Sequence, residues 1–243
     1  MTTLTGTRKS IVLVPGFWLG GWAWDAVAAD LRDRGHHVIA LTLPGLDPDD
    51  PQRATRTLAE QVEALRVAVH TAGADGSSSV VLVVHSGAGF PASVLLDGDP
   101  AAVARIVYVD SGPSVDGTAF DPSVPTDQHE VVLPPFEQLA ASLDGLSDDD
   151  LERFRQRAVP EPGPVVRTPV HLTNEARHDV PSTIIACSYP SEAIMQMARE
   201  GHPMMAEVAT LRELELVDLP TGHWPMWSRP ADLSAAIANA ANH

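Results

Sequence analysis

An uninterrupted aliphatic run, Val80-Val-Leu-Val-Val84, stops at His85-Ser86-Gly87-Ala88-Gly89 and gives way to a helical pattern from Phe90 to Leu96. Such a run suits a parallel strand covered on both faces, because it has no polar side to present to water. The small residues behind it permit a sharp reversal of the backbone. A serine between a buried strand and a helix, with Gly87, Ala88 and Gly89 beside it, fits a strand-turn-helix elbow that presents Ser86 at the strand's carboxyl end. A phosphate-cradling loop is the competing reading, but the stretch has neither a Lys-Ser/Thr pair nor GxGxxG spacing. The elbow is irregular in one respect: Val84 stands two before the serine, where glycine is usual.

Around this element the chain alternates strands and helices. Ser10 to Val14 reads as a strand ended by Pro15-Gly16, then comes a Trp- and Gly-rich loop to Trp24 and a helix to about Arg34. His36 to Leu43 reads as a second strand, Thr57 to Thr71 as a helix with an apolar stripe, and Gly73 to Ser78 as a turn. Ala104 to Val109 is a further strand that stops at Asp110, with Ser111-Gly112-Pro113 breaking the pattern. Ser182 to Ser188 and Leu214 to Leu219 read as the last strands, separated by a helical region from Ser191 to about Thr210 and followed by a final helix, Ala231 to Ala241. This order predicts an α/β fold, a doubly wound and mainly parallel sheet whose ligand crevice lies at the strands' carboxyl ends.

Residues 1–243 read as one domain, since no linker divides them into self-sufficient halves. Within it, 114–180 is rich in proline and holds two short helical segments, Pro135 to Leu143 and Ser147 to Ala158. A connection this long predicts a small helical lid over the crevice. The net charge of -16 excludes nucleic acid and anionic membrane as partners, since both need a basic footprint. No apolar run reaches the roughly 20 residues of a membrane span, and the apolar segment after Met1 to Ser10 is too short for a secretion signal, which makes the cytoplasm the expected compartment. The single cysteine, Cys187, lies in an apolar run and reads as a buried structural thiol. No His, Cys or acidic spacing suits a metal, and no cofactor motif occurs, so neither is expected.

Three chemical groups fall just after strands in the order Ser86, Asp110, His223. A hydroxyl nucleophile needs a base within hydrogen-bond reach, and the base needs a carboxylate that sets its tautomer and stabilises the imidazolium. His223, in a loop with Gly222 and Pro225, is the expected base, and His85 is expected to pack beside the serine rather than act on it.

The chain resembles the α/β-hydrolase superfamily, in particular the small esterase branch of hydroxynitrile lyases, methylesterases and bacterial relatives. The resemblance spans nearly all of it. It is carried by Leu13-Val-Pro-Gly-Phe-Trp-Leu-Gly-Gly-Trp-Ala-Trp24, where Pro15 replaces the usual histidine, by Val84-His-Ser-Gly-Ala-Gly89, by Val107-Tyr-Val-Asp-Ser-Gly112 and by Thr221-Gly-His-Trp224. It implies Ser86 as nucleophile, His223 as base, and the backbone N–H groups of Phe17 and Gly87 as oxyanion hole. The acid departs from the usual pattern. Most relatives carry an aspartate after the strand at Thr183 to Ser188, where this chain reads Tyr189-Pro-Ser-Glu192. Asp110 occupies the alternative acid position used by some members and is preferred to Glu192, which suits the first turn of a helix.

The expected function is therefore a serine hydrolase that cleaves a small to medium, mainly apolar carboxylic ester or lactone through an acyl-enzyme, with Trp18, Trp22, Phe136, Trp224 and Trp227 expected to line the pocket. Two alternatives stay open. One is a lyase, cyclase or ring-opening enzyme using the same residues on a secondary metabolite; the other, ranked lower, is a hydrolase-like ligand receptor. The oligomeric state is not legible.

Overall fold

Val80–His85 form β3, near the middle of a six-stranded parallel sheet, and every one of these residues is buried. The structure, a computed structural model, describes residues 8–74 and 80–243. The amino-terminal residues 1–7 and most of the turn expected at Gly73 to Ser78 lie outside the described residues. The sheet runs β2 (His37–Ala40), β1 (Ser10–Val14), β3, β4 (Arg105–Val109), β7 (Ser182–Ala186), β8 (Leu214–Asp218). Alternate residues of the central strands feed opposite cores. Val12, Val14, Leu82, Val84, Ile106 and Tyr108 pack under α2 (Leu58–Gly73), α3 (Gly89–Gly98) and α7 (Ser191–Arg199). Ile11, Leu13, Val81, Val83, Val107 and Val109 face α1 (Asp25–Asp33) and α9 (Pro230–Ala241). Two apolar faces explain why β3 shows no alternation in sequence.

Local signals account for several boundaries. Thr57 caps α2 in a reciprocal pair with Glu60, and Ser147 does the same with Asp150 for α5 (Asp148–Arg157). The helical region expected from Ser191 to Thr210 is two pieces. Gly201, with φ of 70°, turns the chain after α7, and a 3-10 turn, Ala206–Thr210, follows. The second strand is shorter than expected and ends at Ala40. Thr42 beyond it uses its hydroxyl to accept the Gly21 amide.

Between β4 and β7 the chain adds more than helices. A small antiparallel pair, β5 (Glu130–Val131) and β6 (Glu161–Pro162), flanks α4 (Phe136–Leu139) and α5, and α6 (Gly163–Arg167) follows. Phe154 of α5 is wholly buried between Trp224 and Trp227, which anchors this segment to the second core near α8 (Pro225–Ser228).

One buried group in this segment opposes stability. Glu161 is wholly buried, and burial pushes its carboxyl up to about 7 against hydrogen bonds from Gln61 and Trp18 that favour the anion. The ordinary value is 4.5, so between 4.5 and about 7 the folded form keeps a proton that the unfolded chain has lost, and stability falls as pH rises through that window. Above it the cost is about 3 kcal/mol. The expected outcome is that Glu161→Gln melts progressively higher than wild type as pH rises from about 5 to about 8; a gap independent of pH in thermal melts would refute this.

Candidate active site

The elbow forms as a bend between β3 and α3. Ser86 has φ of 53°, in the left-handed region that non-glycine residues rarely occupy. Among the described residues four non-glycine positions have positive φ, and three of them are Trp18, Ser86 and Asp110. Strain gathered at one place in this way is a mark of a functional site. Gly87 is required by contact rather than by φ: a Cβ there would lie 2.6 Å from the Phe17 ring. A Cβ on Gly16 would lie 2.7 Å from the Cβ of Ser86. The loop after β1 and the elbow after β3 are thus packed closely against each other.

The three groups separated in sequence meet here. His223 Nε2 lies 2.8 Å from Ser86 Oγ, and His223 Nδ1 lies 2.5 Å from Asp110 Oδ2. Glu192 is exposed in the first turn of α7, so the carboxylate beside the imidazole is that of Asp110. Burial opposes charge on Asp110, yet the hydrogen bonds from His223 and Ser188 outweigh it and hold the carboxyl below its ordinary value. Its partners come from the end of β7, where the amides of Cys187 and Ser188 donate to Oδ1 at 3.2 and 2.8 Å. The Ser188 hydroxyl donates to Oδ2 at 2.6 Å. The end of β7 thus supplies donors, while the carboxylate itself follows β4. Ser188 and Ser111, whose hydroxyl donates to the Ser86 carbonyl at 2.6 Å, have no signature that a single sequence reveals.

His85 is buried and bridges the two loops beside the serine. Its Nδ1 accepts from the Gly16 amide at 3.2 Å, and its Nε2 donates to the His223 carbonyl at 2.7 Å. This pairing requires the neutral ring, and burial first, then the neighbouring His223, pushes its pKa down to about 3. Cys187 is buried and free of disulfides, with its thiol pushed up by burial. Among the described residues no cluster of three or more His, Cys, Asp or Glu is placed to hold a metal, and no helix is long and apolar enough to cross a membrane.

A cavity of about 540 Å³ opens at Ser86 and His223. Its apolar wall comes from Phe90, Val115, Phe120, Pro203, Met204 and Met205. The aromatic residues expected there lie elsewhere. Trp224 and Trp227 are buried in the second core, and Trp22 stacks on Trp227 with ring centres 5.7 Å apart. Phe136 packs on Phe154 and lines a separate groove of about 420 Å³. Trp18 turns its indole to donate to the Val131 carbonyl at 3.0 Å. Flat apolar rings bury more area between α1, α5 and α9 than at a solvent-facing cavity, and burial dominates their energetics. The lining residues missed in sequence lie at the start of α3 or follow β4 and α7; the one visible signal was Pro203-Met204-Met205 set in a polar stretch.

Fold and site together define an α/β hydrolase. A family model described as "Alpha/beta hydrolase family" matches residues 11–236, nearly the whole sequence, and the chain belongs to that family. It is 27% identical over 260 residues to "Probable hydrolase R7" of Phoma sp., covering 97% of this chain and 99% of that protein. It is 36% identical over 104 residues to Methylesterase 7 of Arabidopsis thaliana, a match that covers 42% of this chain and 39% of the relative. Among solved structures, an extracellular alpha/beta-hydrolase from a Paenibacillus species superposes with a TM-score of 0.72 at 18% identity, covering 96% of this chain and 99% of that one.

The His85 ring sets an acid limit. Its pKa is lower in the folded than in the unfolded chain, so the stability it contributes is present above about 6.5 and lost as pH falls towards 3. Chemical denaturation of wild type and His85→Gln is expected to show the wild type losing stability relative to the variant as pH falls from about 7 to about 4; parallel curves would refute it.

Proposed function

We propose that the protein is a serine hydrolase of small to medium, mainly apolar carboxylic esters or lactones. The observation that carries this reading is the unbroken hydrogen-bonded line from Ser86 Oγ through His223 to Asp110 at the floor of an apolar cavity. Ser86 Oγ attacks the carbonyl carbon while His223 Nε2 takes its proton, and Asp110 holds the imidazolium that results. The negative charge developing on the carbonyl oxygen is received by the backbone N–H groups of Phe17 and Gly87, each such donor being worth about 3 kcal/mol. Collapse of the tetrahedral species breaks the ester C–O bond, and the leaving alkoxide takes the proton from His223. Water then enters, gives a proton to His223 and attacks the acyl carbon; the acid departs and Ser86 regains its proton. For a lactone the leaving alkoxide stays tethered to the acyl group.

The methylesterase among the relatives supports ester substrates, and a lining without lysine or arginine among the described residues disfavours anionic ones. In this reading residues 1–243 act as one domain with 114–180 as a cap, because Ser114 to Phe120 of that segment border the cavity. The same residues serve a lyase, cyclase or ring-opening reaction if His223 acts as a base without acylation.

Incubation with a fluorophosphonate is expected to add one covalent label at Ser86, read by mass spectrometry, and Ser86→Ala is expected to lose both label and turnover. Asp110→Asn should lower kcat for a p-nitrophenyl ester on the order of ten-thousandfold, with Glu192→Gln unchanged. Folded wild type that takes no label overturns the acyl-enzyme, and turnover that persists in Ser86→Ala replaces it with the base-only chemistry.

A further inference from the structure

Trp18 adopts φ of 66°, a conformation that a bulky residue keeps only where its surroundings hold it. Three hydrogen bonds do so, all from the two short strands between β4 and β7 or the residues beside them. The Val159 amide donates to the Trp18 carbonyl at 3.0 Å, the indole N–H donates to the Val131 carbonyl at 3.0 Å, and the Trp18 amide donates to Glu161 Oε2 at 3.4 Å. The other oxygen of Glu161 accepts from Gln61 Nε2 at 3.1 Å, and that amide group also donates to the Pro44 carbonyl.

Two N–H donors from different elements converge on Glu161 away from water. A carboxylate offers an acceptor oxygen to each, whereas a carboxamide offers one oxygen in all, and an apolar side chain offers none. Packing alone does not ask for a charge at this position, since the buried carboxylate lowers stability at neutral pH. What the two oxygens of Glu161 hold is the loop after β1, braced against α2. That loop is tied at Gly16 by His85 and at Trp18 by Glu161. Phe17 lies between the two ties, its ring against Gly87 of the elbow.

We infer that Glu161 is a positioning residue, outside the cavity, that orients the Phe17 N–H toward the oxyanion through its hold on Trp18 and so couples the β5–β6 pair to the chemical step. The inference rests on the serine-hydrolase reading above. A donor misplaced by about an ångström loses most of its effect on a developing charge while leaving ground-state binding nearly intact.

Glu161→Met keeps the side-chain length and apolar volume without the acceptors, and Glu161→Gln keeps one. Kinetics on a p-nitrophenyl ester, with active sites counted by fluorophosphonate titration and folding checked by circular dichroism, separate the effects. For Glu161→Met we expect kcat per active site to fall about 10- to 100-fold, with KM within about twofold, and Glu161→Gln to lie between it and wild type. The affinity of a trifluoromethyl ketone, which forms an oxyanion on Ser86, is expected to fall by the same factor as kcat/KM, while inhibition by the product acid stays unchanged. A merely structural role would lower the number of active sites and leave kcat per site and ketone affinity alone, and that result overturns the inference. Wild type that neither takes the label nor turns over ester overturns the underlying reading instead.

Discussion

The close approach of two loops is the constraint on which the rest of the site depends. β1 and β3 are adjacent and parallel, with Val14 opposite Val84, so both chains leave the sheet at the same edge and at the same height. Gly16 and Gly87 then let the two loops pack closely, since a methyl group at either would overlap the Ser86 Cβ or the Phe17 ring. The proposed pairing of the Ser86 hydroxyl with the Phe17 amide depends on that contact.

Hydrogen bonds from neighbouring strand ends complete what the contact begins. His85 links Gly16 to the carbonyl of His223, and the end of β7 turns two amides and one hydroxyl toward Asp110. A carboxylate taken largely out of water is otherwise unfavourable, and the interaction with His223 first, then the Ser188 donors, favours the charged form of Asp110. The carboxylate thus comes from the end of β4 and the groups that receive it from the end of β7. β4 and β7 are hydrogen-bonded neighbours, which brings these donors within reach of Asp110.

The segment between β4 and β7 contributes to the site in two ways. Its first residues border the cavity, while its later ones lie against the loop after β1 and, through Phe154, against the second core. Its anchoring by Phe154, Trp224 and Trp227 explains where the tryptophan content went: into the joint between this segment and the sheet rather than into the wall of the cavity. Cation-π contacts from the three arginines of α5, Arg153 over Trp227, Arg155 over Phe136 and Arg157 over Trp22, cover the same joint from outside.

The amino-acid order by itself determined the alternation of strands and helices, the elbow at Ser86, and the succession of serine, acid and histidine, because these depend on period, small residues and position along the chain. The buried run at β3 and the capping pairs at Thr57 and Ser147 are local, and local forces are written locally. Which aromatic residues face the cavity was decided only in three dimensions, since an indole seeks whichever neighbouring surface buries it most and that surface is assembled from α1, α5 and α9 together. The same holds for Glu161, Ser188 and His85: each is an ordinary residue in sequence, and each acquires its role when folding carries distant N–H donors and acceptors to within about 3 Å of it. Pairwise contact between chain segments 60 to 150 residues apart is a property of the packed sheet, and no periodicity in one dimension records it.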